Sequence, residues 1–203
     1  MKLEISMAAA LPADSLAQLF TEARTHRAWS DRPVSDETLR ALYDLTKWGP
    51  TAANCCPLRL VFVRSPAEKA KLTELVSRGN RASVSTSPVT ALLGIDLEFY
   101  EHFDLLAPGS NAKSWYDTTN ERAISDAALQ SGSLQGGYLI LAARALGLDC
   151  GPMGGFDAVG INAAFFAGTP YRINFICNLG YADASQVRPR QPRFSFEQAA
   201  KIV

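Results

Sequence analysis

Apolar positions recur at helical spacing through the first third of the chain. Leu16, Leu19 and Phe20 share one face of a segment at 14–24, and Leu39, Leu42, Tyr43 and Leu45 share one face of a second. Ser35 stands where an N-cap belongs, with Asp36 and Glu37 suiting the positive helix end, and the second helix is expected to close near Trp48. The pattern then changes. Residues 59–64 carry the unbroken apolar run Leu60-Val61-Phe62-Val63, which predicts a buried strand. Ser65-Pro66-Ala67-Glu68 is a capping box with proline at the first helical position, so a helix to about Val76 is expected. A second buried strand is expected at 88–95, then an irregular, aromatic-rich excursion at 97–120.

The strongest helical pattern covers 123–146, roughly 35 Å if continuous. Its second half is apolar around most of its circumference, which predicts a buried central helix. Gly132, Gly136 and Gly137 would each cost such a helix about 1 kcal/mol relative to alanine. They imply close approach by another backbone, from the same subunit or from a symmetry mate. Gly147 is a natural stop. A short helix at 157–166, an apolar strand at 171–179 and a second capping box at Ser195-Phe196-Glu197-Gln198 complete the pattern. The helices are too long and the strands too few for a regular βαβ ladder. The expected class is α+β: one domain over residues 1–203, with a mixed central sheet wrapped by helices.

Composition narrows the function. The 203 residues are 47% apolar, enough for a substantial core, and 20 Lys plus Arg balance 20 Asp plus Glu. Zero net charge without a basic stripe argues against nucleic-acid binding. The arginines that do cluster sit near the two ends: Arg24, Arg27 and Arg32, then Arg188, Arg190 and Arg193. The first dozen residues lack the apolar core of a signal peptide, and the most apolar run, 138–148, is broken by Arg144 and too short to span a bilayer. Cys55, Cys56, Cys150 and Cys177 show neither CxxC nor a disulfide-scaffold spacing, which leaves a reducing cytoplasmic setting as the expectation.

Several chemistries are excluded. Only two histidines, His26 and His102, occur, and no spaced Cys/His/Asp set suits zinc. Gly132-Ser133-Leu134-Gln135-Gly136 has the wrong spacing for a nucleophile elbow, and neither a P-loop nor a GxGxxG fingerprint is present. A bound organic cofactor is left to carry any difficult chemistry. The stretch Lys47-Trp48-Gly49-Pro50-Thr51-Ala52-Ala53-Asn54-Cys55-Cys56-Pro57 is dense in residues that stop a helix and let backbone approach a ligand.

Four stretches recur in order in one known family: Arg24-Thr25-His26-Arg27-Ala28-Trp29, the turn Pro50-Thr51-Ala52-Ala53-Asn54, the helix end Ala145-Leu146-Gly147-Leu148-Asp149, and Gly151-Pro152-Met153-Gly154-Gly155-Phe156. The chain resembles the FMN-dependent nitroreductase family from about Ser15 to its end. Ser35-Asp36-Glu37-Thr38-Leu39-Arg40, Lys47-Trp48-Gly49-Pro50-Thr51, and Gly151-Pro152-Met153 with Gly155-Phe156-Asp157 make it look most like the malonic semialdehyde reductase branch. The resemblance implies an intertwined homodimer with FMN sites at the interface. Arg24, Thr25 and Arg27, with Arg188 and Arg190, would hold the FMN phosphate, a task that favours forked guanidinium donors. Pro50, Thr51, Ala52 and Asn54 would contact the isoalloxazine from the partner subunit, Asn80 its pyrimidine edge, and Gly154 and Gly155 its N5 and O4. The family's usual Gln two residues past the Asn is Cys56 here.

The activity implied by the resemblance is that of an NADH dehydrogenase/NAD(P)H nitroreductase type of oxidoreductase. NADH or NADPH would reduce the flavin, and the flavin would reduce malonic semialdehyde to 3-hydroxypropionate, a step of pyrimidine degradation. No side-chain nucleophile or metal is needed. Two alternatives share the fold: a non-catalytic flavin-binding module, and a specialised flavin enzyme such as a reductive dehalogenase.

Overall fold

A computed structural model describes residues 9–203. The opening stretch that lacks a signal-peptide core therefore lies largely outside the described residues. Helix α1 (Ala13–Leu16) continues as a π-helical turn, Ala17–Thr21, and so ends three residues before the expected Arg24. Helix α2 (Asp36–Thr46) is capped as its sequence requires, with Ser35 Oγ accepting the Thr38 N–H at 3.2 Å. Strand β1 (Leu58–Val63) leads to α3 (Pro66–Glu74). Half of the expected capping box forms there: Ser65 Oγ accepts the Glu68 N–H at 3.3 Å, but the Glu68 carboxylate is taken by Lys71 at 2.8 Å.

Helix α4 (Arg78–Thr86), β2 (Val89–Asp96), α5 (Phe103–Leu106), α6 (Glu121–Ala145), β3 (Asp149–Met153), α7 (Ala158–Phe165), β4 (Tyr171–Gly180) and α8 (Phe196–Ala199) complete the chain. The strands form one sheet in the order β1-β2-β4-β3, every ladder antiparallel. The α+β class is as expected. The mixed character is confined to a single parallel bridge, Thr25 to Cys150, outside the strands. Strand β3 and helix α4 are additions to the expected elements.

Every residue of β2 is buried, as a central strand demands. Leu42, Leu93, Leu139, Ala143 and Leu179 fill the core under α2 and α6, while Val63, Leu72, Leu92, Ile161 and Ile176 fill the one under α3 and α7. Two of the helix glycines are required by this packing. A Cβ on Gly132 would sit 2.5 Å from Ile95 Cγ2, and one on Gly136 2.6 Å from the Phe175 ring. The close neighbour is thus the chain's own sheet. Gly137 faces open space. The 97–120 excursion is held by aromatic contacts, with the Phe99 and Tyr116 rings edge-to-face at 4.9 Å and Phe103 stacked on Tyr116 at 5.7 Å.

One buried cation has no carboxylate partner among the described residues. Lys69, 6% exposed, donates to Ser87 Oγ at 2.6 Å and Thr90 Oγ1 at 3.0 Å. The chain of bonds runs on through Asn178, whose amide donates to Ser83 Oγ at 3.1 Å, to Trp29, whose indole N–H also donates there at 3.2 Å. Burial pushes the Lys69 ammonium down to about 8. The unfolded chain then binds the extra proton between pH 8 and the ordinary lysine range, so stability rises with pH across that window. Urea melts should show wild type gaining about 1 kcal/mol on K69M between pH 7 and pH 9. Parallel pH curves for the two proteins would contradict the assignment.

Candidate active site

The segment after α1 runs beside β3. Thr25 bridges Cys150, the His26 N–H donates to Cys150 O at 2.9 Å, and Ser30 N–H donates to Tyr181 O at 2.8 Å. Gly151 permits this approach, since a Cβ there would lie 2.6 Å from His26 O. His26 Nε2 also meets Asp149 Oδ1 at 3.2 Å, and this contact holds the Asp149 carboxyl below the usual carboxylate range against the opposing effect of burial. The tail of the chain folds back over the same segment. Arg190 donates to Thr21 O at 2.5 Å and Ala23 O at 2.9 Å, and Arg24 donates to Arg188 O.

These contacts gather Arg24, Thr25, Arg27, Arg188 and Arg190 along one cleft of about 910 Å³. Six arginines line it against one carboxylate, Asp183. One of the six escaped the sequence reading: Arg144, from the last turn of α6. Its Nη1 donates to Leu19 O at 2.8 Å, while its Nε is buried and has no partner among the described residues. A buried donor left unpaired costs about 1–3 kcal/mol. The visible signal was the arginine itself, the single charge in the chain's most apolar run. This donor set fits a phosphate group.

Asn80 and Gly155 are also brought together. The Asn80 amide donates to Gly155 O at 3.0 Å, and the Ser77 N–H donates to the same oxygen at 2.9 Å. A Cβ on Gly155 would come within 2.9 Å of both side chains, whereas one on Gly154 would meet nothing within 4 Å. Gly155 is fixed by packing; Gly154 borders open space.

The turn at 50–54 stands apart. Ala53, Asn54 and Cys56 have φ of 50°, 57° and 39°, in the left-handed region where non-glycine residues are uncommon. Thr51 Oγ1 accepts the Cys56 N–H at 3.2 Å, Asn54 donates to Leu106 O at 2.6 Å, and the Ala52 N–H reaches Ser131 Oγ at 3.4 Å. Burial pushes the neighbouring Cys55 thiol up, which fits packing rather than chemistry. None of Pro50, Thr51, Ala52 or Asn54 lines the arginine cleft. Ser131 and Arg144 are thirteen residues apart on α6, so about 20 Å of helix separates the turn from the cleft of the same chain. Arg122, near the start of the same helix, lies exposed beside Asp126 at 3.7 Å.

An α+β sheet with an arginine cleft and a strained turn off the central helix defines the class. Residues 21–181 match the Nitroreductase family, and the chain belongs to that family. A relative from Ralstonia nicotianae, provisionally named an NADH dehydrogenase/NAD(P)H nitroreductase, is 54% identical over 188 residues, covering 93% of this chain and 96% of its own. Two solved structures share the fold at 19% identity, each covering 98% of this chain and 100% of the other. They are provisionally described as a nitroreductase, in complex with FMN, from Exiguobacterium sibiricum, TM-score 0.81, and an NAD(P)H:FMN oxidoreductase from Staphylococcus epidermidis, TM-score 0.82.

The glycine pair gives a direct check. Gly155→Ala should lower unfolding stability by about 1–3 kcal/mol, because Asn80 and Ser77 must give way. Gly154→Ala should stay within about 0.5 kcal/mol of wild type. Equal losses in denaturant melts would refute the distinction.

Proposed function

We infer that this chain is an FMN-dependent NAD(P)H oxidoreductase that works as a homodimer. The observation that carries the reading is the arginine cleft, assembled from residues 20–28, 183–193 and Arg144 in a chain with no net charge. The flavin supplies the chemistry when bound, accepting hydride from a nicotinamide and passing it to an acceptor.

The protein's residues bind and orient. Arg24, Arg27, Arg144 and Arg188 hold the phosphate, with Thr25 beside them. Arg190, committed to Thr21 O and Ala23 O, keeps the tail in place so that Arg188 faces the cleft. Asn80, whose amide N–H is committed to Gly155, offers Oδ1 to the ring's pyrimidine edge. Gly154, which borders open space, would leave room at N5 and O4, with Gly155 beside it held by Asn80 and Ser77. Pro50, Thr51, Ala52 and Asn54 belong to the second subunit's wall, a reading supported by their distance from the arginine cleft of their own chain. The exposed apolar side chains Leu16, Phe20, Trp48, Leu134 and Tyr138 suit burial by a second copy. The acceptor of this reading is malonic semialdehyde, reduced to 3-hydroxypropionate, as the branch-specific stretches suggest. Its electron donor is NADH or NADPH.

The purified protein should be yellow or become so with FMN, bleach anaerobically with NADH or NADPH, and recover its colour with malonic semialdehyde or a nitroaromatic. A protein that stays colourless with FMN contradicts the reading. Arg188→Glu should weaken FMN binding by about 10- to 100-fold, the worth of a charge-assisted phosphate contact. Unchanged flavin fluorescence titrations in that variant would remove Arg188 from the site.

A further inference from the structure

A second cleft, of about 430 Å³, opens where the strained turn meets the 97–120 excursion. Asn54 and Cys56 line one side of it, and Trp48, 75% exposed, sits at its edge. On the other side is His102, with 45% of its side chain exposed. Its Nε2 lies 3.1 Å from Asp96 Oδ2. Asp96 closes strand β2 with a side chain only 1% exposed, and both its oxygens are engaged: Oδ2 also accepts from Arg59 at 2.6 Å, and Oδ1 from the Glu98 N–H at 2.8 Å. Arg59 is fixed in turn, donating to Cys56 O and Leu58 O at 3.0 Å each.

A buried carboxylate pinned by a guanidinium has one role left for the imidazole it touches. It keeps a proton on Nε2 and sets the ring's orientation, so Nδ1 is the nitrogen that exchanges a proton. Nδ1 has no protein partner among the described residues. No other histidine is available for this role: His26 is engaged with Asp149 beside the arginine cleft. Besides Asp96 and Arg59, the titratable groups around His102 are Lys47, held by Asp44 at 2.6 Å, the Cys56 thiol and the Tyr43 phenol. On its own segment stand Glu98, Tyr100, Asp104 and Glu101, the last paired with Lys113 at 2.5 Å.

We propose that His102, oriented by Asp96, is the proton donor to the acceptor's oxygen. The inference rests on the functional reading above, which puts the turn carrying Asn54 against the ring from which hydride leaves. As hydride reaches the carbonyl carbon from the reduced cofactor, the C=O π pair moves to oxygen. The Nδ1–H bond of the imidazolium breaks, an O–H bond forms, and the alcohol leaves with two electrons and two hydrogens gained. The neutral imidazole keeps its Nε2–H on Asp96 and recovers its proton from water.

His102→Gln keeps a donor to Asp96 and removes the titrating group. In the FMN-loaded protein, its reductive half-reaction with the nicotinamide should stay within about twofold of wild type. Its oxidative half-reaction with an aldehyde should slow by about 100-fold or more, with a changed pH profile. In resting, loaded wild type, 3-hydroxypropionate should shift the NMR resonances of the His102 ring. An unchanged oxidative half-reaction, or a ring resonance indifferent to the product, overturns the proposal while the functional reading stands. Failure to take up FMN at all overturns both.

Discussion

The contact between α6 and the sheet is the constraint on which the rest depends. Gly132 against Ile95 and Gly136 against Phe175 leave no room for a Cβ, so the helix lies as close to β2 and β4 as its backbone allows. That proximity lets Gln135 Oε1 accept the Leu58 N–H at 3.0 Å, pinning the strand after the turn. It sets Ser131 under Ala52 and delivers Arg144 to the floor of the arginine cleft. One helix therefore fixes both walls of the proposed flavin site, one from its middle and one from its last turn. Alanine at Gly132 or Gly136 would displace both.

Charge obeys the same logic. A chain with no net charge still builds a strongly cationic cleft, because residues at its two ends are folded onto each other by backbone contacts from Arg24 and Arg190. The repulsion among six guanidinium groups is tolerated where several are occupied by carbonyl oxygens, and a bound phosphate would relieve the remainder. The cleft and the family membership support each other without depending on each other: one is geometry in this chain, the other likeness to relatives.

The features legible in the sequence were the local ones. Leu60-Val61-Phe62-Val63 needs only its own pattern to declare a buried strand, and Ser35 needs only the three residues after it to cap a helix. The features that stayed hidden depend on distant partners. Gly151 and Pro152 look like a turn, yet they lie in β3, an edge strand where proline is tolerated and where glycine admits the His26 carbonyl. Helix α4, rich in Ser, Gly and Asn, has little propensity of its own and is held by packing of Val84 into the core. Arg144 reads as an interruption of an apolar helix, because its place in the cleft appears only when residues 20–28 and 183–193 are folded beside it. The arginine pairing was legible through resemblance; the hydrogen bond from Asn80 to Gly155 O and the left-handed backbone at Ala53 and Cys56 were not, the last because neither residue favours it.

The central claim is that the proposed flavin site is shared between two copies, arginines from one and the 50–54 turn from the other. Mixed dimers test it most directly. One chain would carry Arg188→Glu, the other Ala52→Glu, a change at an exposed turn position that sets a carboxylate in the ring's wall. Each homodimer should bind FMN at least about 10-fold more weakly than wild type. In the hybrid, one site receives both altered parts and the other receives both native parts, so the account predicts one tightly bound FMN per hybrid dimer. A hybrid that binds FMN as weakly as its parents would mean that each chain builds its own site, and would contradict the account.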